Sequence, residues 1–179
     1  MKKVVYLFAA VIIFAGINLN AQSKISFNAG ANLALPMGSF SDVAGFGFGA
    51  SVGAQMPLAD KITGTASVGY LMFGEKELGP SGFSVKSSFS AIPILVGAKY
   101  AFGDNFYGAA ETGFHLFSSK VTTEITFFGT TTTSEGTASS SDFTLGVGGG
   151  YMFGKLDVSA KYYLISNANY VGVRVAYHF

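Results

Sequence analysis

The chain has 179 residues, 11 Lys+Arg against 10 Asp+Glu, 12% charged residues and no cysteine. The near-neutral balance excludes the basic surplus by which proteins hold nucleic acid, and the missing thiol excludes disulfides, thiol chemistry and lipid attachment through cysteine. Mean hydropathy is high at +0.42, yet beyond Ala21 no run of about 18 apolar residues offers a spanning helix.

At the start, Lys2 and Lys3 form a short positive region, Val4–Ile17 is apolar, and Asn18-Leu19-Asn20-Ala21 leads into Gln22. That pattern predicts a secretory signal peptide over residues 1–21, shorter than the roughly 20 apolar residues of a spanning anchor. Residues 22–179 are then one domain by size.

Eight segments of alternating polarity follow, and period two is the mark of a strand. The first, Lys24–Leu35, sets Ile25, Phe27, Leu33 and Leu35 against Lys24, Asn28 and Asn32. The second, Phe46–Met56, sets Phe46, Phe48 and Val52 against Gly47, Ser51 and Gln55. The third, Ile62–Phe73, opposes Ile62, Val68, Tyr70 and Met72 to Thr63, Thr65 and Ser67. The fourth, roughly Ser88–Phe102, has the weakest alternation, with Val96, Tyr100 and Phe102 against Leu95 and Lys99, and Pro93 predicts a bulge or local distortion there. The fifth, Phe106–Phe117, opposes Phe106, Phe114 and Leu116 to Glu111 and His115. The sixth, Phe143–Phe153, has Phe143, Leu145 and Val147 against Thr144, Gly146, Gly148 and Gly150. The seventh, Leu156–Ile165, opposes Leu156, Val158 and Leu164 to Asp157, Ser159 and Lys161. The eighth, Val171–Phe179, carries Val171, Val173, Val175, Tyr177 and Phe179 on one face and Gly172, Arg174 and His178 on the other.

Segments of about 10 residues fit tilted transmembrane strands. The connections alternate too. Pro57–Lys61, Gly103–Asn105 and Gly154-Lys155 are short, while Met37–Gly45, Gly74–Val85 and Ser118–Asp142 are long; among the outer connections only Ser166–Asn169 is short. Short turns on one side and long loops on the other are the outer-membrane barrel pattern. The expected fold is therefore all-β, an eight-stranded antiparallel up-and-down transmembrane β-barrel. On this threading the apolar face points outward and its aromatics collect at two levels, as interfacial belts do. A soluble barrel would carry a richly charged exterior, whereas the polar face here is mostly Gly, Ser, Thr and Ala.

Inside, eight strands leave a lumen just wide enough for side chains to fill. Glu111, Lys161 and Arg174 are expected there at mid-depth as a charge network, with Arg174 or Lys161 as the partner of Glu111 across the lumen. Lys99, Asp157 and His178 are expected lower. Two readings follow, a polar plug and a narrow charged pore, with the plug preferred because unpaired charges in the lumen are costly.

Three motif-like stretches lack their chemistry. Gly149-x-x-x-x-Gly154-Lys155 has Leu156 where a phosphate loop needs Ser or Thr. His115 and His178 fall near opposite ends of the barrel, too far apart to share a metal. Ser166-Asn167-Ala168 resembles the Ser-Asn-Ala of outer-membrane lipid A deacylases, but Leu164 stands where that family carries its catalytic His. No catalytic residue, cofactor or metal site is expected. In Ser118–Asp142 the Thr, Val, Ile and Phe content favours strand. A protruding hairpin turning near Gly129 and a polar loop are both open there, and Thr122, Glu124, Phe127 and Phe128 mark a candidate interaction segment, since a sheet edge can take a partner by strand addition.

With the leader, the eight segments and the terminal Phe179 in place, the chain resembles the small outer-membrane β-barrel proteins, the OmpA/OmpX-like barrel domains of Bacteroidetes-type bacteria. The resemblance implies a monomer in outer-membrane lipid, inserted by the barrel assembly machinery through a C-terminal signal at Tyr177 and Phe179. It implies roles in envelope integrity or surface contact, a small-solute channel being the alternative. Because the sequence ends at the eighth segment, no peptidoglycan-anchoring domain is expected.

Overall fold

The computed structural model describes residues 25–78, 83–127 and 130–179; the leader expected over residues 1–21 lies outside them. Among the described residues eight strands form one ring: β1 (Ser26–Pro36), β2 (Gly47–Ala59), β3 (Ile62–Leu78), β4 (Phe83–Ala101), β5 (Phe106–Phe127), β6 (Thr130–Phe153), β7 (Leu156–Ile165) and β8 (Tyr170–His178). Each pairs antiparallel with the next, and β8 returns to β1 from Asn28↔His178 to Pro36↔Tyr170. The barrel is closed, so no strand edge is open within the ring.

The alternation read from the sequence decides which face is which. Phe48 is 53% exposed, Val96 55% and Phe27 61%, whereas His115 and Thr144 are fully buried. An exterior of Phe, Val and Leu around an interior of Asn, Glu, Asp and His inverts the soluble pattern, and it is stable only against an apolar solvent. The outward aromatics pack in pairs at two levels. Tyr100–Phe102, Phe106–Tyr151, Tyr151–Phe153 and Tyr177–Phe179 meet at the end near the short turns, and Phe114–Phe143 meets at the other.

The strands run further outward than the alternation suggests. β5 and β6 pair without a break from Phe106↔Tyr151 to Phe127↔Thr130, so the Ser118–Asp142 stretch is a hairpin by its backbone. β4 joins it as far as Phe83↔Ile125, but β6 leaves β7 at Thr144↔Ile165. Four strands thus rise above the ring as a sheet. The turn itself, 128–129, lies outside the described residues. The long-loop reading of Gly74–Val85 is corrected in the same way, because β3 reaches Leu78 and β4 begins at Phe83.

Of the bulge or local distortion expected at Pro93, the structure shows the second, a gap in the β3–β4 ladder without a register shift. On its other side Pro93 pairs in unbroken register with His115. The register of β3 with β4 shifts instead between Phe73 and Lys76, where Gly74 leaves the ladder to exchange backbone hydrogen bonds with Gly45 and Phe46. A proline is tolerated where its missing N–H faces a gap in the ladder, and the β3–β4 pairing does skip from Ile94 to Ala91.

A single helical turn, α1 (Phe40–Val43), interrupts the β1–β2 connection. It lays Phe40, 3% exposed, into the outer mouth. Its ring meets Phe73, Phe89 and Phe117 edge-to-face at 5.1, 5.6 and 6.2 Å, and Ser87 Oγ donates to the Val43 carbonyl at 3.0 Å.

Inward glycines make room for these fillings. A Cβ at Gly146 would lie 2.8 Å from the Tyr163 ring and 3.0 Å from Glu111 Cγ, and one at Gly172 would lie 2.8 Å from the other edge of Tyr163. Tyr163 therefore lies flat along the lumen wall between two missing side chains. Gly146→Val should still give a barrel whose gel mobility shifts on heating, but one less stable by about 1–3 kcal/mol, the usual cost of overpacking. Urea unfolding in detergent micelles measures it.

Candidate functional site

The lumen is the site, and it is built in three layers. The outer layer is aromatic. Below the Phe40 cluster, His115 stacks on Phe117 with ring centroids 5.7 Å apart. Its Nδ1 lies 2.7 Å from Thr144 Oγ1 and its Nε2 2.9 Å from Tyr170 Oη. Both ring nitrogens are engaged and the ring is fully buried, so His115 acts as a spacer between the apolar cap and the charges beneath.

The middle layer holds the three charged residues expected there, but not as one network. Lys161 Nζ donates to Glu111 Oε2 at 2.5 Å and Tyr163 Oη donates to Glu111 Oε1 at 2.6 Å. Arg174, expected as a cross-lumen partner of Glu111, turns the other way. Its Nε donates to Ser51 Oγ at 2.8 Å and its Nη2 to Asn28 Oδ1 at 2.7 Å. The register explains the correction: Glu111 pairs with Gly146, and Gly146 pairs with Tyr163. With no side chain on β6 between them, groups from β5 and β7 meet along the wall. The carboxylate is filled before Arg174 on β8 can reach it.

The lower layer is a knot around Asp157, which is 2% exposed. Lys99 Nζ donates to Oδ2 at 2.5 Å, Tyr107 donates to Oδ1, and His178 Nε2 lies 3.4 Å from Oδ2. Gln55 Nε2 in turn reaches His178 Nδ1 at 3.1 Å. These five residues come from β2, β4, β5, β7 and β8, so the knot ties opposite walls together. Tyr107 and Gln55 were not singled out in the sequence. Tyr107 sits one residue from an outward Phe in a segment read for its Glu and His. The available signal was Gly150, opposite Tyr107, which vacates the space its ring fills. Among the described residues no buried side-chain polar atom lacks a partner.

The other expected residues fall as follows. Tyr177 and Phe179 point outward at the lower rim, 46% and 73% exposed, and Phe179 N–H donates to the Phe27 carbonyl at 3.0 Å. Thr122 is half-buried and pairs with Glu135 across the hairpin; Glu124 and Phe127 pair through the backbone with Thr133 and Thr130, and Phe128 lies outside the described residues. Asn167 has φ 62° in the tight β7–β8 turn, and Leu164 beside it faces outward. Between the middle layer and the β2–β3 wall lies a cavity of about 70 Å³.

A family of proteins described as "Putative MetA-pathway of phenol degradation" matches residues 7–177. No curated protein matches the chain. Among solved structures, the attachment invasion locus protein Ail of Yersinia pestis is similar with TM-score 0.57 and 11% identity, over 88% of this chain and 99% of that one. The N-terminal β-barrel domain of Pseudomonas aeruginosa OprF gives 0.51 and 16%, over 88% and 100%. A major outer membrane protein of Thermus thermophilus gives 0.52 and 17%, over 87% and 100%. At these identities the likeness shows a shared fold, the small eight-stranded outer-membrane type of barrel.

The buried pair sets a measurable asymmetry. Glu111→Leu leaves Lys161 without its carboxylate and should cost about 3–5 kcal/mol, whereas Glu111→Leu with Lys161→Met removes both charges and should recover most of that loss. A double-mutant cycle in denaturant reads the difference.

Proposed function

Because the chain belongs to the family described as "Putative MetA-pathway of phenol degradation" and folds as a closed barrel apolar outside and polar within, we propose that it is an integral bacterial outer-membrane protein with a structural and surface-contact role. In this reading residues 1–21 are a cleaved export signal, and the barrel is a monomer in outer-membrane lipid. Tyr177 and Phe179 serve its insertion by the barrel assembly machinery. The exposed aromatics at two levels support the location, since amphipathic and aromatic rings favour the boundary between hydrocarbon and water. The similar structures are proteins of bacterial outer membranes.

The observation that carries a non-conducting role is the double obstruction of the lumen. Phe40 and its aromatic neighbours fill the outer mouth, and the Asp157 knot joins β4, β7 and β8 across the lower one. A non-catalytic role agrees with the outward Leu164 where a serine hydrolase of this architecture would need a base. The surface role rests on the rising sheet. Along β6, residues 130–143 pair with β5 on one side and have no strand partner among the described residues on the other. Such an edge accepts an added strand through its free N–H and C=O groups.

Purified barrel added to a planar bilayer should give no discrete openings; stepwise conductance would replace the plug with the pore. Deleting residues 122–140 should leave the heat-dependent gel shift intact and lower the attachment of cells displaying the chain to protein-coated surfaces. Equal attachment with and without the segment would remove the surface role.

A further inference from the structure

We propose that the lumen cavity binds a small monovalent anion against Arg174. Beneath the aromatic layer and above the lower turns, the described lumen residues carry three cations, Lys99, Lys161 and Arg174, and two carboxylates, Glu111 and Asp157. Two of the cations are matched at contact distance, Lys99 by Asp157 and Lys161 by Glu111, each at 2.5 Å. Arg174 has only neutral partners, the side-chain oxygens of Ser51 and Asn28. Its guanidinium cannot shed its proton to relieve the imbalance, as a lysine or histidine can.

The geometry leaves a place for the missing charge. Nε and Nη2 are occupied, while Nη1 makes no hydrogen bond to a described residue. No buried side-chain polar atom among these residues is unsatisfied, so Nη1 is not sealed off from accessible space, and Arg174 is one of the residues that line the cavity. At about 70 Å³ the cavity is several times the roughly 10–15 Å³ that one water needs on the same measure. It admits an ion of chloride or formate size together with waters, whereas a polyol acid would have to pass the Phe40 cluster or the Asp157 knot to reach it. Gly53, Ser67 and Gly69 are among its lining residues, small groups that leave the space unfilled. Arg174 is itself held in place, since Ser51 Oγ also accepts from Asn32 Nδ2 at 3.0 Å. A cation held in place with no carboxylate in contact, beside an unfilled space in a low-dielectric barrel, favours a bound anion on electrostatic grounds.

The inference rests on the barrel and its interior, not on the surface role. It is tested on the full folded chain in zwitterionic detergent at constant ionic strength, replacing sodium gluconate stepwise by sodium chloride or sodium formate. The unfolding midpoint should rise with chloride and with formate and stay flat in gluconate, because a ligand bound only by the folded state stabilises it by mass action. The protein should also broaden the chloride NMR line. Asn28→Asp places a carboxylate where Arg174 Nη2 already donates at 2.7 Å; it should fold, raise the midpoint in gluconate and abolish both the chloride response and the line broadening. Arg174→Gln should abolish them by removing the cation. If Arg174→Gln does not fold, as judged by the heat-dependent gel shift, Asn28→Asp decides alone. A midpoint indifferent to the choice of anion in the unaltered chain, or a chloride response that survives Asn28→Asp, overturns the site.

Discussion

Closure is the constraint from which the rest of the structure follows. A strand surrounded by hydrocarbon has no water for its backbone groups, so every N–H and C=O must find a partner in another strand. The β1–β8 pairing supplies the last set, from Asn28↔His178 to Pro36↔Tyr170. Once the ring is shut at eight strands its bore is fixed, and only side chains of limited volume fit inside. The apolar exterior and the glycine-rich interior are both consequences. Val, Leu and Phe meet the lipid, and Gly146, Gly150 and Gly172 yield their space so that Tyr163 and Tyr107 can lie within the wall.

The interior is stabilised by complete pairing rather than by charge as such. Taking Glu111 or Asp157 out of water is costly, and an ion pair offsets that cost only when the remaining lone pairs are also engaged. Here they are: Glu111 accepts from both Lys161 and Tyr163, and Asp157 from Lys99, Tyr107 and His178. The lower knot draws its donors from strands on opposite sides of the ring. It therefore braces the bore against ovalisation as well as filling it, while the apolar cap around Phe40 does the same work at the other end without charge.

How far the sequence can be read depends on the range of the interaction. Which residues face out was legible for all eight strands, because the side-chain period is local and lipid demands an unbroken apolar face. Strand ends were less legible. Beyond the membrane the lipid no longer selects for alternation, so β5 and β6 continue to Phe127 and from Thr130 through Thr- and Ser-rich stretches that carry no outward apolar stripe. The four-residue α1 was invisible, since Phe40 is a lone aromatic in a polar connection and its partners Phe73, Phe89 and Phe117 come from three different strands. The pairing of Glu111 was half legible. Its depth follows from counting residues, but its choice of Lys161 over Arg174 depends on Gly146 standing between β5 and β7, a relation of register across three strands. Pro93 was half legible for the same reason: a disturbance there follows from its missing N–H, but whether it is a bulge or a gap depends on the neighbouring ladder, and the β3–β4 ladder shows a gap.

The lopsided height of the ring explains why the rising sheet has open edges, a short one on β3 beyond Phe73 and a long one on β6. β5 and β6 run for 22 and 24 residues, β7 and β8 for only 10 and 9. The tight β7–β8 turn, held by Asn169 Oδ1 accepting from the Ile165 N–H at 2.9 Å, stops those strands at the rim. β6 must therefore continue alone on that side. On the low side of the rim α1 fills the mouth that no tall strand covers, and the Met37 N–H bonds to the Asn169 carbonyl at 2.8 Å to join the plug's connection to the short turn. Soluble proteins blunt a free edge with lysine, proline or a bulge. Residues 130–142 contain none of the first two, and their register with β5 is unbroken. The outward-facing backbone donors and acceptors of alternate residues along this Thr- and Ser-rich edge therefore have no strand partner among the described residues.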